Sequence, residues 1–281
     1  SDVVFGPLHF LTPAPPTISA HSPLPPEEEW ERFSTAHRQA VLELAQLYDQ
    51  AVQMVGEKLA TIFAIHAMLL DDQDYQDTVY SMIFSCGCTA EHASKTAMDH
   101  LVSLFEQMDS PYMQARASDV RAISDRMLRI LTGRGAVPPV SFSPSILVST
   151  EFAPSQIITL DRSCILGFIA MRGSVQSHAA ALSRALSIPA LVKLDLSASL
   201  EGHTALLDGG AQKLYVDPTP DILSRLGGLL LFQTAQIVFH PADGPAKGLH
   251  RARNDEQVSF NGIPGAEPDV GDGLPGSVGQ K

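Results

Sequence analysis

Apolar residues change their spacing once along this chain, and that change limits the fold more than any other feature. Upstream, Leu44, Tyr48, Ala51, Val55, Leu59 and Ile62 recur three or four positions apart, which is the period of one helix face. They read as one stripe of a long helix that breaks near Asp71 and Asp72. Ala93, Ala97, Leu101, Leu104, Phe105 and Met108 repeat the pattern after Thr89, a good N-cap. Met113, Ala117, Val120, Ser124, Met127 and Leu131 repeat it again up to Gly133, a good C-cap. Glu27, Glu28 and Glu29 suit the positive end of a first helix. Positions 27–133 therefore predict a bundle of antiparallel helices.

Downstream of Pro138 and Pro139 the apolar residues gather into short runs bounded by turn residues. Ser145–Ser149, Cys164–Ile169, Pro189–Val192, Thr204–Leu207 and Lys213–Val216 read as strands. Ala181, Leu182, Ala185 and Leu186 keep a helical spacing between them. Strand and helix alternate, so this half predicts a compact α/β domain. A further β segment, Val3–Leu11, opens the chain, and Pro7 would confine it to a sheet edge. From position 227 glycine and proline make up about a quarter of the residues with no period, the composition of a linker or disordered tail.

Charge and cysteine usage narrow the function. The 281 residues carry a formal charge of -12, with 31 acidic against 19 basic side chains. A phosphate backbone would be repelled, so nucleic acid is excluded as a bulk partner. The longest near-apolar windows fall far short of a membrane span, so no membrane insertion is expected. The chain shows no secretion signal, and its 3 cysteines cannot build a disulfide framework. A reducing, cytoplasmic setting is expected. Cys86 and Cys88 lack the four-ligand company of a zinc site and read as free thiols beside a turn, so no metal is expected.

The residues most suggestive of chemistry are Arg172-Gly-Ser-Val-Gln-Ser-His-Ala-Ala-Ala181. A glycine turn follows a strand and opens a helix, with His178 in its first turn. Free backbone N–H groups there favour an anion such as a phosphoryl group. A neutral imidazole nitrogen is a good nucleophile near neutral pH. By themselves the same residues read as an ordinary surface histidine at a helix start before they read as a reactive one.

Ser177-His178-Ala-Ala, followed by Ala185-Leu-Ser-Ile-Pro-Ala-Leu-Val192, resembles the phosphohistidine segment of phosphoenolpyruvate-utilising enzymes. Ile146-Leu-Val-Ser-Thr-Glu-Phe-Ala-Pro-Ser155 resembles that family's strand and Pro-Ser turn, and Leu207-Asp-Gly-Gly with Leu214-Tyr-Val-Asp-Pro-Thr219 its closing hairpin. In the helical half, Ile62-Phe-Ala-Ile-His-Ala-Met-Leu-Leu-Asp-Asp72 and Met108-Asp-Ser-Pro-Tyr-Met-Gln-Ala-Arg-Ala-Ser-Asp-Val-Arg-Ala-Ile123 resemble segments of the Enzyme I branch, the phosphotransferases of the bacterial sugar phosphotransferase system. Two motifs in the right order, in two domains, are far more specific than either alone.

The resemblance implies an α+β chain: a swivelling α/β phosphohistidine domain (1–24 and 136–226) with an inserted antiparallel helical bundle (25–135) and a tail (227–281). It implies phosphoryl transfer through His178, between phosphoenolpyruvate and the small carrier HPr. Gly173, Gln176 and Ser177 would form the active-site loop. Glu57, Met68, Leu69, Asp74, Tyr75, Phe105 and Arg116 would form the docking surface, with Asp71, Asp72 and Asp74 facing a basic-rimmed carrier. The acidic cluster by itself reads sooner as a solvated helix end, and His66 as a histidine that holds the docking helices. The family's C-terminal barrel, which takes phosphoenolpyruvate and Mg²⁺ and makes the dimer, matches nothing after position 226. No cofactor is therefore expected in this chain, and a monomer is. Ser174, Val175 and Gln176 depart from the usual loop, Ile157 replaces a threonine that can bond the histidine, and Lys193 replaces a glycine. Gln176 could supply a substitute bond. The alternative is a non-catalytic HPr-binding module with an altered histidine loop.

Overall fold

In a computed structural model, residues 2–11, 16–134 and 143–230 are described. The proline pair at 138–139 and the tail from 231 onward lie outside them, while residues 227–230, read as the start of that tail, are helical. The helical half forms α1 (Pro26–Val55), α2 (Glu57–Leu70), α3 (Gln73–Cys86), α4 (Ala90–Glu106), a short α5 (Pro111–Gln114) and α6 (Arg116–Leu131). It stands between β1 (Val3–Leu11) and β2 (Ser145–Ser149). Then follow α7 (Pro154–Thr159), β3 (Ile165–Ala170), α8 (His178–Ala185), β4 (Ala190–Val192), β5 (Thr204–Asp208), β6 (Lys213–Val216) and α9 (Pro220–Leu230). Among the described residues no helix is long and apolar enough to cross a membrane.

The first stripe is two helices rather than one. Gly56 takes φ 84° and ψ 163°, a conformation that only glycine occupies readily. That residue ends α1 and starts α2, and the two pack against each other, so the apolar stripe folds back on itself. The acidic break at Asp71 and Asp72 is real but has a structural task. The Asp72 side chain accepts the Tyr75 N–H and caps α3, a helix the periodicity missed. Thr89 caps α4 by accepting the His92 N–H.

The sheet has six strands in the order β4-β3-β2-β1-β5-β6. β1 runs parallel to β2 and antiparallel to β5, so it is an interior strand and Pro7 does not mark an edge. The ladder explains why the proline is tolerated. The Leu8 N–H points to the β5 side, where it meets the His203 carbonyl. Alternation then turns the Pro7 nitrogen to the other side. Pairing with β2 begins only at Leu8, so no ladder bond is lost.

Alternation along the strands splits the core in two. Val4, Leu8, Ile146, Val148, Ile169 and Leu207 face one side of the sheet. Leu147 and Phe168 face the other and, with Ile157 of α7, merge with the bundle core, which includes Phe33, Leu44, Phe63, Ile83, Met98 and Met127. Bundle and sheet thus share one continuous apolar cluster, and its polar border is where α6 and α8 meet.

A Cβ at Gly56 would touch nothing within 4 Å, so Gly56→Ala costs backbone strain alone, about 1–3 kcal/mol. Urea unfolding is expected to show a lower midpoint with an unchanged slope.

Candidate functional site

Ser177 is the N-cap of α8, its hydroxyl accepting the Ala180 N–H at 3.2 Å. Gly173, at φ 104°, turns the chain out of β3. The Ser177 N–H then closes on the Ser174 carbonyl at 3.0 Å. This local structure sets His178 at the first helical position with a quarter of its side chain exposed.

The ring is directed at α6. Nδ1 of His178 lies 3.0 Å from Oδ2 of Asp119. Nη1 of Arg116 lies on the same edge of the ring, 2.5 Å from Nδ1 and 2.8 Å from Nε2. It is also 3.0 Å from Oδ2 of Asp119. Nη2 of Arg116 donates to the Gln176 carbonyl at 3.1 Å, and the guanidinium stacks 4.8 Å above the exposed Tyr112 ring. On the far side of the carboxylate, Nε2 of His66 is 3.7 Å from Oδ1. Two of these groups are buried, His66 at 3% and Asp119 at 4% exposure.

The electrostatics follow from this packing. Burial works to raise the Asp119 carboxyl, but the adjoining His178 and His66 imidazoles outweigh it and hold the group at about 2. Burial pushes His66 down, since a charged imidazole there would be poorly solvated, and Asp119 only partly offsets this. Asp119 also sits in the first turn of α6, where the helix dipole favours an anion. Among the described residues no group of three or more His, Cys, Asp or Glu side chains is placed to hold a metal ion.

The residues singled out by the sequence fall into three places. His178, Ser177, Gly173, Gln176 and Arg116 come together at the junction. Gln176 contributes its backbone carbonyl, to Arg116, and not a side-chain bond to the imidazole. Ile157 is buried with only hydrocarbon to offer. Glu57, Met68 and Asp74 are exposed, Met68 at 71%, while Leu69 and Phe105 are half-buried. Tyr75 belongs to the interior: its ring packs on Phe33 and its hydroxyl bonds the Ser94 hydroxyl at 2.9 Å. At 7% exposure it offers almost no surface to a partner.

Sequence reasoning missed Asp119. Its signal was present: it lies beside Val120 in the apolar stripe and three residues after Arg116, and a carboxylate buried there needs partners. It also missed the second bridge between the domains. Glu151, after β2, bonds the Ser118 hydroxyl and pairs with Arg121 at 3.6 Å, both on α6.

The chain is similar to known proteins over most of its length. Residues 1–116 match the N-terminal domain of PEP-utilising enzymes, and residues 142–212 match their mobile domain. A phosphoenolpyruvate-protein phosphotransferase of Bacillus sp. (strain S) is 31% identical over 232 residues, covering 80% of this chain and 40% of the relative. One from Bacillus subtilis is 31% identical over 202 residues, covering 71% of this chain and 35% of the relative. The chain thus spans about 40% or less of the length of these relatives. Among solved structures, an N-terminal domain of Enzyme 1 - Nitrogen is 27% identical with a TM-score of 0.53, covering 82% of this chain and 95% of that one. A solution structure of an Enzyme I protein, 24% identical, shares the fold with a TM-score of 0.61 over 81% of this chain and 94% of that one.

The Asp119 carboxyl falls from an ordinary 3.8 to about 2 in the fold. The unfolded chain therefore takes up the proton first as pH falls. Stability from this pairing is complete above about pH 4 and is lost as pH falls through about 2. The stability gap between wild type and Asp119→Asn, read by circular dichroism, is expected to shrink over that window; a gap that stays constant contradicts it.

Proposed function

The chain belongs to the family of PEP-utilising enzymes, and on that premise we propose that it is the part of a phosphoenolpyruvate-protein phosphotransferase that carries a phosphoryl group on His178 and exchanges it with a small HPr-type carrier. One observation carries the reading. A quarter-exposed imidazole stands at the N-terminal position of α8 with the Arg116 guanidinium against it. A helix N-terminus and a guanidinium both favour a phosphoryl group's negative charge. Such transfer is mostly positioning plus charge stabilisation, and this site supplies both from two domains.

The exposed part of the sequence-derived docking set suits a carrier with an apolar centre and a basic rim. Met68 and its helical neighbour Ile65 are both exposed on α2, the helix that also buries His66. Asp74 stands exposed at the start of α3. Apolar contact there would supply affinity, and the acidic residues, with the net charge of -12, would steer the carrier.

Incubation with phosphorylated HPr and intact-protein mass spectrometry tests the transfer. Wild type is expected to gain a phosphoryl group and His178→Ala to gain none. No gain in wild type, or an equal gain in the variant, contradicts the proposal. Carrier binding without transfer would instead leave a docking module with a silent histidine. Calorimetry tests the docking face: Met68→Glu is expected to weaken HPr binding roughly tenfold, about 1.4 kcal/mol, with the thermal midpoint unchanged.

A further inference from the structure

We infer that Asp119, a residue of the helical bundle, is the positioning residue of the phosphoryl-accepting histidine: its buried carboxylate holds the Nδ1 proton of His178 across the domain junction and leaves the ring's lone pair on Nε2. This rests on the reading of His178 as the phosphoryl carrier and names the group that aims it.

A carboxylate only accepts hydrogen bonds and a guanidinium only donates them. Oδ2 of Asp119 is 3.0 Å from Nδ1, a contact that is favourable only if Nδ1 bears hydrogen. Nη1 of Arg116 lies 2.5 Å from Nδ1 and 2.8 Å from Nε2 and also needs a lone pair. Since Asp119 can offer Nδ1 only an acceptor, the hydrogen goes to Nδ1 and the guanidinium must direct its own at the lone pair on Nε2. A free neutral histidine prefers its hydrogen on Nε2, so without Asp119 the lone pair would sit mostly on the other nitrogen. His66 closes the far side of the carboxylate at 3.7 Å. Burial keeps that imidazole from charging readily, so the facing charges that balance Asp119 come from Arg116 and, during transfer, from His178.

The transfer step balances without further reagents. The Nε2 lone pair of His178 forms a new N–P bond. The N–P bond of the carrier's phosphohistidine breaks, and its electron pair returns to the carrier's ring nitrogen. Nδ1 keeps its proton, so the phosphorylated His178 ring is an imidazolium, and Asp119 carries the counter-charge beside it. For this step Arg116 leaves Nε2, and its donors are then free for the phosphoryl oxygens.

The orienting group comes from the bundle, while the loop and α7 around the histidine offer it no side-chain acceptor: Ile157 is hydrocarbon and Gln176 gives only its carbonyl, to Arg116. His178 is therefore aimed only while α6 and the sheet domain are packed as they are here. The Ser118–Glu151 hydrogen bond and the Arg121–Glu151 pair, on the same stretch of α6, hold that packing.

Nitrogen-15 spectra of the full chain, with His178→Ala used to assign the His178 signals, read the tautomer directly. Wild type is expected to show hydrogen on Nδ1 and the lone pair on Nε2. Rapid-quench transfer from phosphorylated HPr is expected to slow about a hundredfold in Asp119→Ala at saturating carrier, the scale of a misdirected reacting group. Its HPr affinity should be unchanged, and its His178 hydrogen should shift toward Nε2. Wild type with the hydrogen on Nε2 overturns the inference without need of any variant. So does wild-type-rate transfer by a folded Asp119→Ala or, should that variant not fold, by Asp119→Asn with an altered tautomer. Wild type that accepts no phosphoryl group overturns the carrier reading instead, while the tautomer measurement still judges Asp119 separately.

Discussion

One carboxylate organises the junction of this molecule. Asp119 is almost wholly buried, and a buried charge without partners would be very unfavourable. It is met by Arg116 from its own helix, by His66 from α2 and by His178 from α8. Three helices from two domains must therefore be in place together. The same contacts that make its burial tolerable place the His178 imidazole.

The rest of the fold supplies rigidity around that point. The bundle interrupts the sheet domain between β1 and β2, yet the two pair in parallel over Leu8–Leu11. Its ends are thereby anchored in adjacent strands. The apolar face of the sheet, through Leu147 and Phe168, is continuous with the bundle core, and Ile157 of α7 joins the same cluster. Dispersion and hydrophobic burial hold the domains close, and the polar border at α6 sets their register. On that border Glu151 reaches Ser118 and Arg121, one position before and two after Asp119 on α6. That spacing puts the second bridge beside the first.

Most of the elements, and the histidine, were legible in the sequence. Thr89, Ser177 and Gly133 mark helix ends because capping is a local matter of one side chain or one positive φ. The strands after position 143 announced themselves as short apolar runs. Where the reading missed, the controlling fact was not local. Pro7 sits inside the sheet because its nitrogen happens to face a stretch where β2 has not yet begun to pair. The stripe through Val55 and Leu59 passes over Gly56 without losing its spacing, and spacing alone cannot show a reversal of direction. Tyr75 turned inward, where its hydroxyl meets the Ser94 hydroxyl on another helix.

The sequence by itself determined the element types, the bundle between strand segments and the histidine at the head of a helix. Each depends on residues a few positions apart, where periodicity and capping act. Only the tertiary structure decided that Asp119 faces His178, 59 residues away in the chain. A buried acid must find partners, but the sequence offers 10 histidines and 19 basic side chains to choose from. The choice is made by which helix faces the core brings into contact, and that is a property of the packed whole.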